Sequence, residues 1–295
     1  MSIRQTAKAA GMGYEVTRRK LRRIGAIRSQ SEGQMRHARH AFSRDKMEKA
    51  YLVGLRAGDI NAWRKTRNTI EVRVSTTHPA MAKLFSDSFR QYGHIMADAG
   101  KAYLPGRYRW QMRAHLDNSF KFLVAKTSDL SKESSRFYHF LADYSDAECC
   151  WCVYFSKKRV KTSWSIESKD VFLLRSIRNR LRHEGFHPLL HVARKRSNQR
   201  FRKNQNPQTP EDKKTGQLRL LRKDEVLNLA EKLLRISRHG EKISKMRLIM
   251  RINLMANDAI VARLDRLRRK IKMEVSSFEE RAEREYKKGK LATFG

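Results

Sequence analysis

The sequence predicts an α+β fold: tandem pseudo-twofold αββαββα repeats, with a small N-terminal helical domain and a C-terminal helical tail. Three observations predict it. The order helix, two strands, helix, two strands, helix occurs twice along the 295 residues. Each copy opens with an apolar helix that ends in an acid, Asp59 or Glu148, and these lie roughly 90 residues apart, too long a period for a solenoid. In each copy the second helix ends at a glycine, Gly93 or Gly185.

The elements follow in chain order. Residues 1–30 read as a helical pair, with a short helix around Thr6–Ala10, a turn at Gly11-Met12-Gly13 and a helix from Tyr14 to Ile24. Val16, Leu21 and Ile24 mark its apolar side, and Arg18 and Arg19 belong to its basic remainder. Helix, glycine turn and basic helix make the outline of a helix-turn-helix, whose second helix enters the major groove. Residues 31–44 are polar and basic and read as a linker. His37 and His40 have no partner cluster, so they are solvated rather than metal ligands.

Residues 45–130 form the first repeat. Its opening helix carries Gly54 and Gly58 on one face, although glycine costs about 1 kcal/mol inside a helix. That cost, accepted twice on one side, implies a second backbone packed closely there. Asp59 ends this helix, where the dipole disfavours an acid. Strands are expected over Asn61–Arg67, Thr69–Thr76, Ile95–Ala99 and Tyr108–Leu116. A helix starts at His78-Pro79 and another spans Asn118–Lys126.

Residues 131–240 repeat the order, with a helix over Arg136–Glu148 and strands over Trp151–Phe155, Val160–Ser168, Leu189–Ala193 and Leu218–Leu221. Helices run from Val171 to Gly185 and from Asp224 to Ile236. The segment Arg194 to Lys203 holds six basic residues and no acid, as a phosphate-contacting hairpin tip would, with Arg194, Lys195 and Arg196 at its start. Residues 241–295 form a basic helical tail, with Met246, Ile249, Ile252, Met255, Ile260, Leu264 and Leu267 at helical spacing. It is expected to dock on the second repeat.

Composition narrows the function. Sixty-six Lys and Arg against 30 Asp and Glu give a net charge of +36, which calls for a polyanion, nucleic acid before membrane. With 40 % apolar residues the chain can bury a core, so a disordered polycation is excluded. It has no apolar run long enough for a membrane span. Cys149, Cys150 and Cys152 cannot build a disulfide framework, which points to a reducing, intracellular, cytoplasmic or nucleoid location. Cys150 and Cys152 alternate on a strand, as packing residues do. There is neither a glycine-rich nucleotide loop nor a nucleophile–histidine motif.

Leu52-Val53-Gly54-Leu55-Arg56-Ala57-Gly58-Asp59-Ile60 and Leu141-Ala142-Asp143-Tyr144-Ser145-Asp146-Ala147-Glu148-Cys149, each followed by ββαββα, resemble the LAGLIDADG homing endonucleases across residues 45–240. The resemblance implies two helices side by side at a pseudo-twofold axis and two acids meeting at the centre of a DNA-binding saddle. It further implies a monomeric endonuclease that cuts double-stranded DNA with Mg2+ held by Asp59 and Glu148, serving intron homing. Two carboxylates repel each other unless cations sit between them, and magnesium takes oxygen ligands while bridging phosphates. Lys161 is the basic residue expected near the centre. Arg64, Arg73, Lys157 and Arg159, on or beside the strands, are expected to face DNA. The second motif departs from the pattern at Asp143, which matches Gly54, and at Cys149, in place of a glycine. Asp146 is expected to be a cap or surface residue. Two other readings are a non-cleaving DNA-binding regulator on the same scaffold and an RNA-splicing maturase that binds intron RNA.

Overall fold

The computed structural model of the chain describes residues 3–24, 37–125, 130, 133–156, 159–194, 214–289 and 292–293. They fall into two compact units, divided between Arg39 and His40.

The smaller unit is a helical hairpin of α1 (Ile3–Ala9) and α2 (Tyr14–Arg23). Gly11 turns the chain with φ of 61°, a conformation glycine adopts without strain. Ala7 and Thr17 are its buried residues, whereas Val16 and Ile24 are exposed. The apolar side expected from Val16, Leu21 and Ile24 is therefore corrected: α2 turns its small Thr17 inward, because the partner helix is only two turns long.

The larger unit contains both repeats. The first consists of α3 (Lys46–Ala57), β1 (Asn61–Thr66), β2 (Thr69–Thr76), α4 (Pro79–Phe89), β3 (Ile95–Lys101), β4 (Tyr108–Leu116) and a 3-10 helix (Asn118–Leu123). The second consists of α5 (Ser134–Glu148), β5 (Cys149–Ser156), β6 (Arg159–Ser168), α6 (Val171–His183), β7 (Leu189–Arg194), β8 (Lys214–Leu220) and α7 (Lys223–Leu234). Asp45 caps α3 by accepting from the Met47 and Glu48 amides, and Asp170 caps α6 by accepting from Leu173. Both sheets are antiparallel, in the equivalent orders β1-β2-β4-β3 and β5-β6-β8-β7. The strict alternation of β2 and β4 places Ile70, Val72, Val74, Trp110, Met112 and Ala114 on the helix-covered face, all of them buried. The other face stays open.

Three details differ from the sequence reading. The helix closing the first repeat is a short 3-10 turn rather than an α-helix. Residues 40–44, read as linker, are packed: the His40 amide donates to the Tyr92 carbonyl at 2.9 Å, and Phe42 is buried among Tyr92, Phe120 and Phe122. The tail does not dock on the second repeat alone. Its first helix, α8 (Gly240–Met250), packs on β5 and α7, but the long α9 (Asn257–Lys288) lies against β3, β4 and α4 of the first repeat. Trp110 donates to the Phe278 carbonyl at 3.2 Å and its ring meets Phe278, while Glu279 accepts from Arg107 and from the Tyr108 amide. A two-residue strand, β9 (Ala292–Thr293), then pairs with β3. The tail thus ties both repeats together. No helix among the described residues is long and apolar enough to cross a membrane.

Candidate functional site

The site begins with the packing of α3 on α5. A Cβ placed on Gly54 would stand 2.3 Å from the Phe140 carbonyl oxygen and 3.0 Å from the Tyr144 amide. One on Gly58 would stand 2.5 Å from the Ala147 Cβ and 3.2 Å from the Glu148 Cγ. The two glycines therefore let the helices touch, Gly54 against the backbone of α5 and Gly58 against the side chains at its end. Glu148 is the last residue of α5. Asp59 lies just beyond α3, because Gly58 caps that helix and Ile60, fully buried, pulls the chain away.

The two acids meet at this junction. Burial pushes the Glu148 carboxyl above its ordinary range, the negative charge of Asp59 pushes it further, and Lys242 opposes both. Desolvation likewise raises Asp59, against the pull of Lys242 and His78. Lys242, from the first turn of α8, donates to the Cys149 carbonyl. Beside it Glu241 pairs with His78 at 3.4 Å, and burial holds the His239 imidazole down to about 4. Lys242 was not legible in the sequence, because it lies in the tail and only the return of α8 brings it to the centre.

Lys161 does not occupy that position. On β6 it is five residues from Ile166, the partner of Cys149, a run of about 17 Å along a strand. Lys161 and Arg159 do lie on the open face of the second sheet, paired with Tyr154 and Ser156. On the first sheet Arg73 lies on the open face opposite Asn61. Arg64 does not: it pairs with the core residue Ile70, so it takes the other face, where its Nη1 donates to the Arg67 carbonyl at 3.0 Å. Arg18 and Arg19 are exposed on α2. Lys157, Lys195 and Arg196 lie outside the described residues, as does the Arg194 side chain, although Arg194 ends β7.

The open faces differ in charge from the covered ones. Register places Arg73, Arg109, Arg113 and His115 on the first, where Lys65 joins them through its bond to Glu71, with Glu71 and Asp98 the acids among them. The second carries Arg159, Lys161, His191 and Arg219, with Glu167. Cys150 and Cys152 also belong to this face, with sulfurs 3.1 Å apart. They are not packing residues, as expected from alternation, because Cys149, Trp151 and Val153 take the core side.

Behind the acids lies a buried polar cluster. Asp146 is not on the surface: its Oδ2 accepts from the Tyr51 hydroxyl at 3.1 Å and from the Arg238 and His239 amides at 2.7 and 3.2 Å. It thereby satisfies backbone donors at the entry to α8. Asp143 is completely buried, and neither of its oxygens has a partner in bonding geometry. Burial, and then the charge of Asp146, push its carboxyl far above the usual range, which favours the protonated form. A neutral acid is tolerable in a helix interface where a charged one is not.

Asp59 and Glu148 fit a magnesium ion as donors. They are hard oxygen ligands at a half-open site, and magnesium is usually held by one or two carboxylates together with waters and substrate phosphates. No group of three or more His, Cys, Asp or Glu able to hold a metal occurs among the described residues, so the remaining ligands would come from water and substrate.

No protein-family model matches the chain. No curated protein matches it in sequence. Solved structures similar to it include the homing endonuclease I-DmoI in complex with DNA and calcium, at 13 % identity and a TM-score of 0.45, covering 68 % of this chain and 97 % of that one. The LAGLIDADG homing endonuclease I-GzeII in complex with its DNA target is similar at 10 % identity and a TM-score of 0.42, covering 79 % and 97 %. The N-terminal LAGLIDADG domain of DUF199/WhiA is similar at 10 % identity and a TM-score of 0.43, covering 66 % and 86 %.

Proposed function

We propose that the chain is a magnesium-dependent endonuclease that cuts double-stranded DNA at a long asymmetric site, as a monomer, and serves the homing of a mobile intron. One observation carries this reading: Asp59 and Glu148 meet at the end of a backbone-tight helix pair, between two basic open sheet faces. The sheet faces bind phosphate and base edges along the major groove, giving affinity that falls steeply with salt. The α2 helix, with Arg18 and Arg19, adds DNA contacts of its own. At the centre Asp59 and Glu148 orient the attacking water and hold the metal. The metal, when bound, supplies Lewis-acid stabilisation of the attacking and leaving oxygens. Lys242 takes the place expected of Lys161: its ammonium balances the carboxylates and faces the charge that builds on the phosphate.

The test is cleavage of a plasmid carrying the uninterrupted form of the locus that encodes the chain. Magnesium-dependent cutting that is lost in Asp59→Asn and in Glu148→Gln, with DNA binding retained, is the expected result. Tight, sequence-specific binding with no cutting would instead favour the regulator. One observation points that way: Lys242 already supplies a cation to the carboxylate pair. Preferential binding of the intron RNA over the DNA would favour the maturase.

A further inference from the structure

Glu71 is out of place on a face that meets a polyanion. It sits in the middle strand pair of the first sheet, on the open side, yet only 2 % of its side chain is exposed. Three basic side chains cover it. Lys65 Nζ is 2.7 Å from Oε2, His115 Nε2 is 2.9 Å from the same oxygen, and Arg73 Nη2 is 2.9 Å from Oε1. The Arg73 guanidinium also lies 5.1 Å from the Trp63 ring centre. Burial alone would raise Glu71, but the bonds from Lys65, His115 and Arg73 outweigh it and hold the carboxyl down to about 2. It is therefore charged throughout the working pH range.

Stability does not explain this arrangement. A buried ion cluster rarely outperforms apolar residues of the same volume. A carboxylate here also weakens the attraction of the face for phosphate. What it does achieve is order. Free Lys and Arg side chains lose rotamer freedom when they bind, and a side chain fixed beforehand avoids that loss.

We propose that Glu71 is a positioning residue that holds Arg73 against Trp63 as the reader of a guanine in the major groove. This rests on the double-stranded DNA reading above. Glu71 takes one hydrogen of Nη2, and the second Nη2 hydrogen, with that of Nη1 or Nε beside it, still makes a two-pronged donor. Guanine presents two acceptors, O6 and N7, to such a fork, whereas adenine presents a donor at one of the two places. The cation–π contact with Trp63 restrains the guanidinium, and lysine has no planar fork to hold there. The preference expected of one bidentate base contact is roughly 5- to 150-fold.

The test is selection of binding sites from a randomised 40-base-pair duplex pool by the full-length chain, with divalent metal chelated so that nothing is cut. Wild type, Glu71→Gln, Arg73→Ala and Arg73→Lys are compared, with melting temperatures and affinity for a fixed non-specific duplex. Wild type is expected to enrich a G·C pair at one position of one half-site, and both Arg73 variants to lose it. Glu71→Gln is expected to reduce that preference at least roughly 5-fold, the low end for a bidentate contact, while its non-specific affinity holds or rises because a negative charge is gone. A merely structural role would instead lower the melting temperature and blur every position together. That result, or an intact guanine preference in Glu71→Gln, overturns the proposal. Site enrichment with no position that responds to Arg73 overturns it and leaves the DNA reading standing. No enrichment of any sequence by wild type overturns both.

Discussion

Replacing Gly54 with alanine asks whether backbone contact between α3 and α5 positions the carboxylate pair. The added Cβ would sit 2.3 Å from the Phe140 oxygen and 3.0 Å from the Tyr144 nitrogen. Both are backbone atoms of a buried helix, so neither can swing aside. An ordinary contact of about 3.5 Å requires the helices to part by about 1 Å. Overpacking of this kind costs about 1–3 kcal/mol, and alanine returns about 1 kcal/mol through helix propensity. The net destabilisation is then at most about 2 kcal/mol, a fall in Tm of roughly 4–8 °C at the upper end for a chain of this size. Activity is the sharper readout. Asp59 and Glu148 sit at the ends of the displaced helices, and a misplacement of about 1 Å can cost about 100-fold in rate. The assay is single-turnover cleavage of the cognate duplex beside thermal unfolding. Gly240→Ala serves as the control, since no heavy atom lies within 4 Å of a Cβ there, and its Tm is expected to hold or rise. If Gly54→Ala cuts at the wild-type rate with an unchanged Tm, close helix contact does not position the acids.

Asp143→Asn tests the neutral buried acid through linkage. The folded state holds the Asp143 proton more tightly than the unfolded chain, so its contribution to stability is complete below about pH 3.9 and drains away as pH rises. Relative to wild type, the variant should gain stability as pH rises above about 4. Denaturant unfolding at several pH values measures this, and a pH-independent difference would refute it. Lys242→Met removes the cation that opposes the upward shift of both central acids. The acidic limb of the cleavage profile should therefore move to higher pH, and an unmoved limb would show that Lys242 does not act on the pair. Phe278→Ala should cost about 2 kcal/mol, less than a fully buried phenylalanine because the ring is half-buried. It should also shift Trp110 emission to the red, because this ring and its backbone carbonyl cover the indole; unchanged emission would mean that α9 does not seal the first repeat.

The local elements were legible because local rules decide them. Strand alternation gave β2 and β4 to the residue, and the two small-residue helices announced a tight pair before any contact was known. Paired glycines carry such information because only a close neighbour justifies their cost. Register was harder. Arg64 pairs with the core residue Ile70 and turns away, while its neighbour Lys65 joins Glu71 on the open face. Long-range events left no local trace. Nothing near Asp146 announces that it bonds amides more than 90 residues on, at Arg238 and His239. The helical spacing of the tail shows that it has an apolar side but not which repeat receives it. Asp143 illustrates the same limit in reverse: the sequence shows a misplaced charge, and only burial beside Asp146 shows that the protonated form is favoured there.

The two halves of the centre are not equivalent, and the tail is the reason. Glu148 ends its helix and sits beside the Cys149 carbonyl, to which Lys242 donates. Asp59 lies past the cap of its helix and faces His78, which pairs with Glu241. Lys242 and Glu241 are neighbours in the first turn of α8, and among the described residues no second copy of α8 serves the other repeat. Asp146 in turn fixes the entry to α8 through two backbone amides. One tail segment therefore brings Lys242 to both carboxylates, while only Asp59 also has His78 beside it, and that segment is itself held by an acid of the second motif. A duplicated fold needs no such asymmetry to bind a symmetric site. Distinct environments for the two acids, together with different side chains on the two open faces, suit a target whose two halves differ.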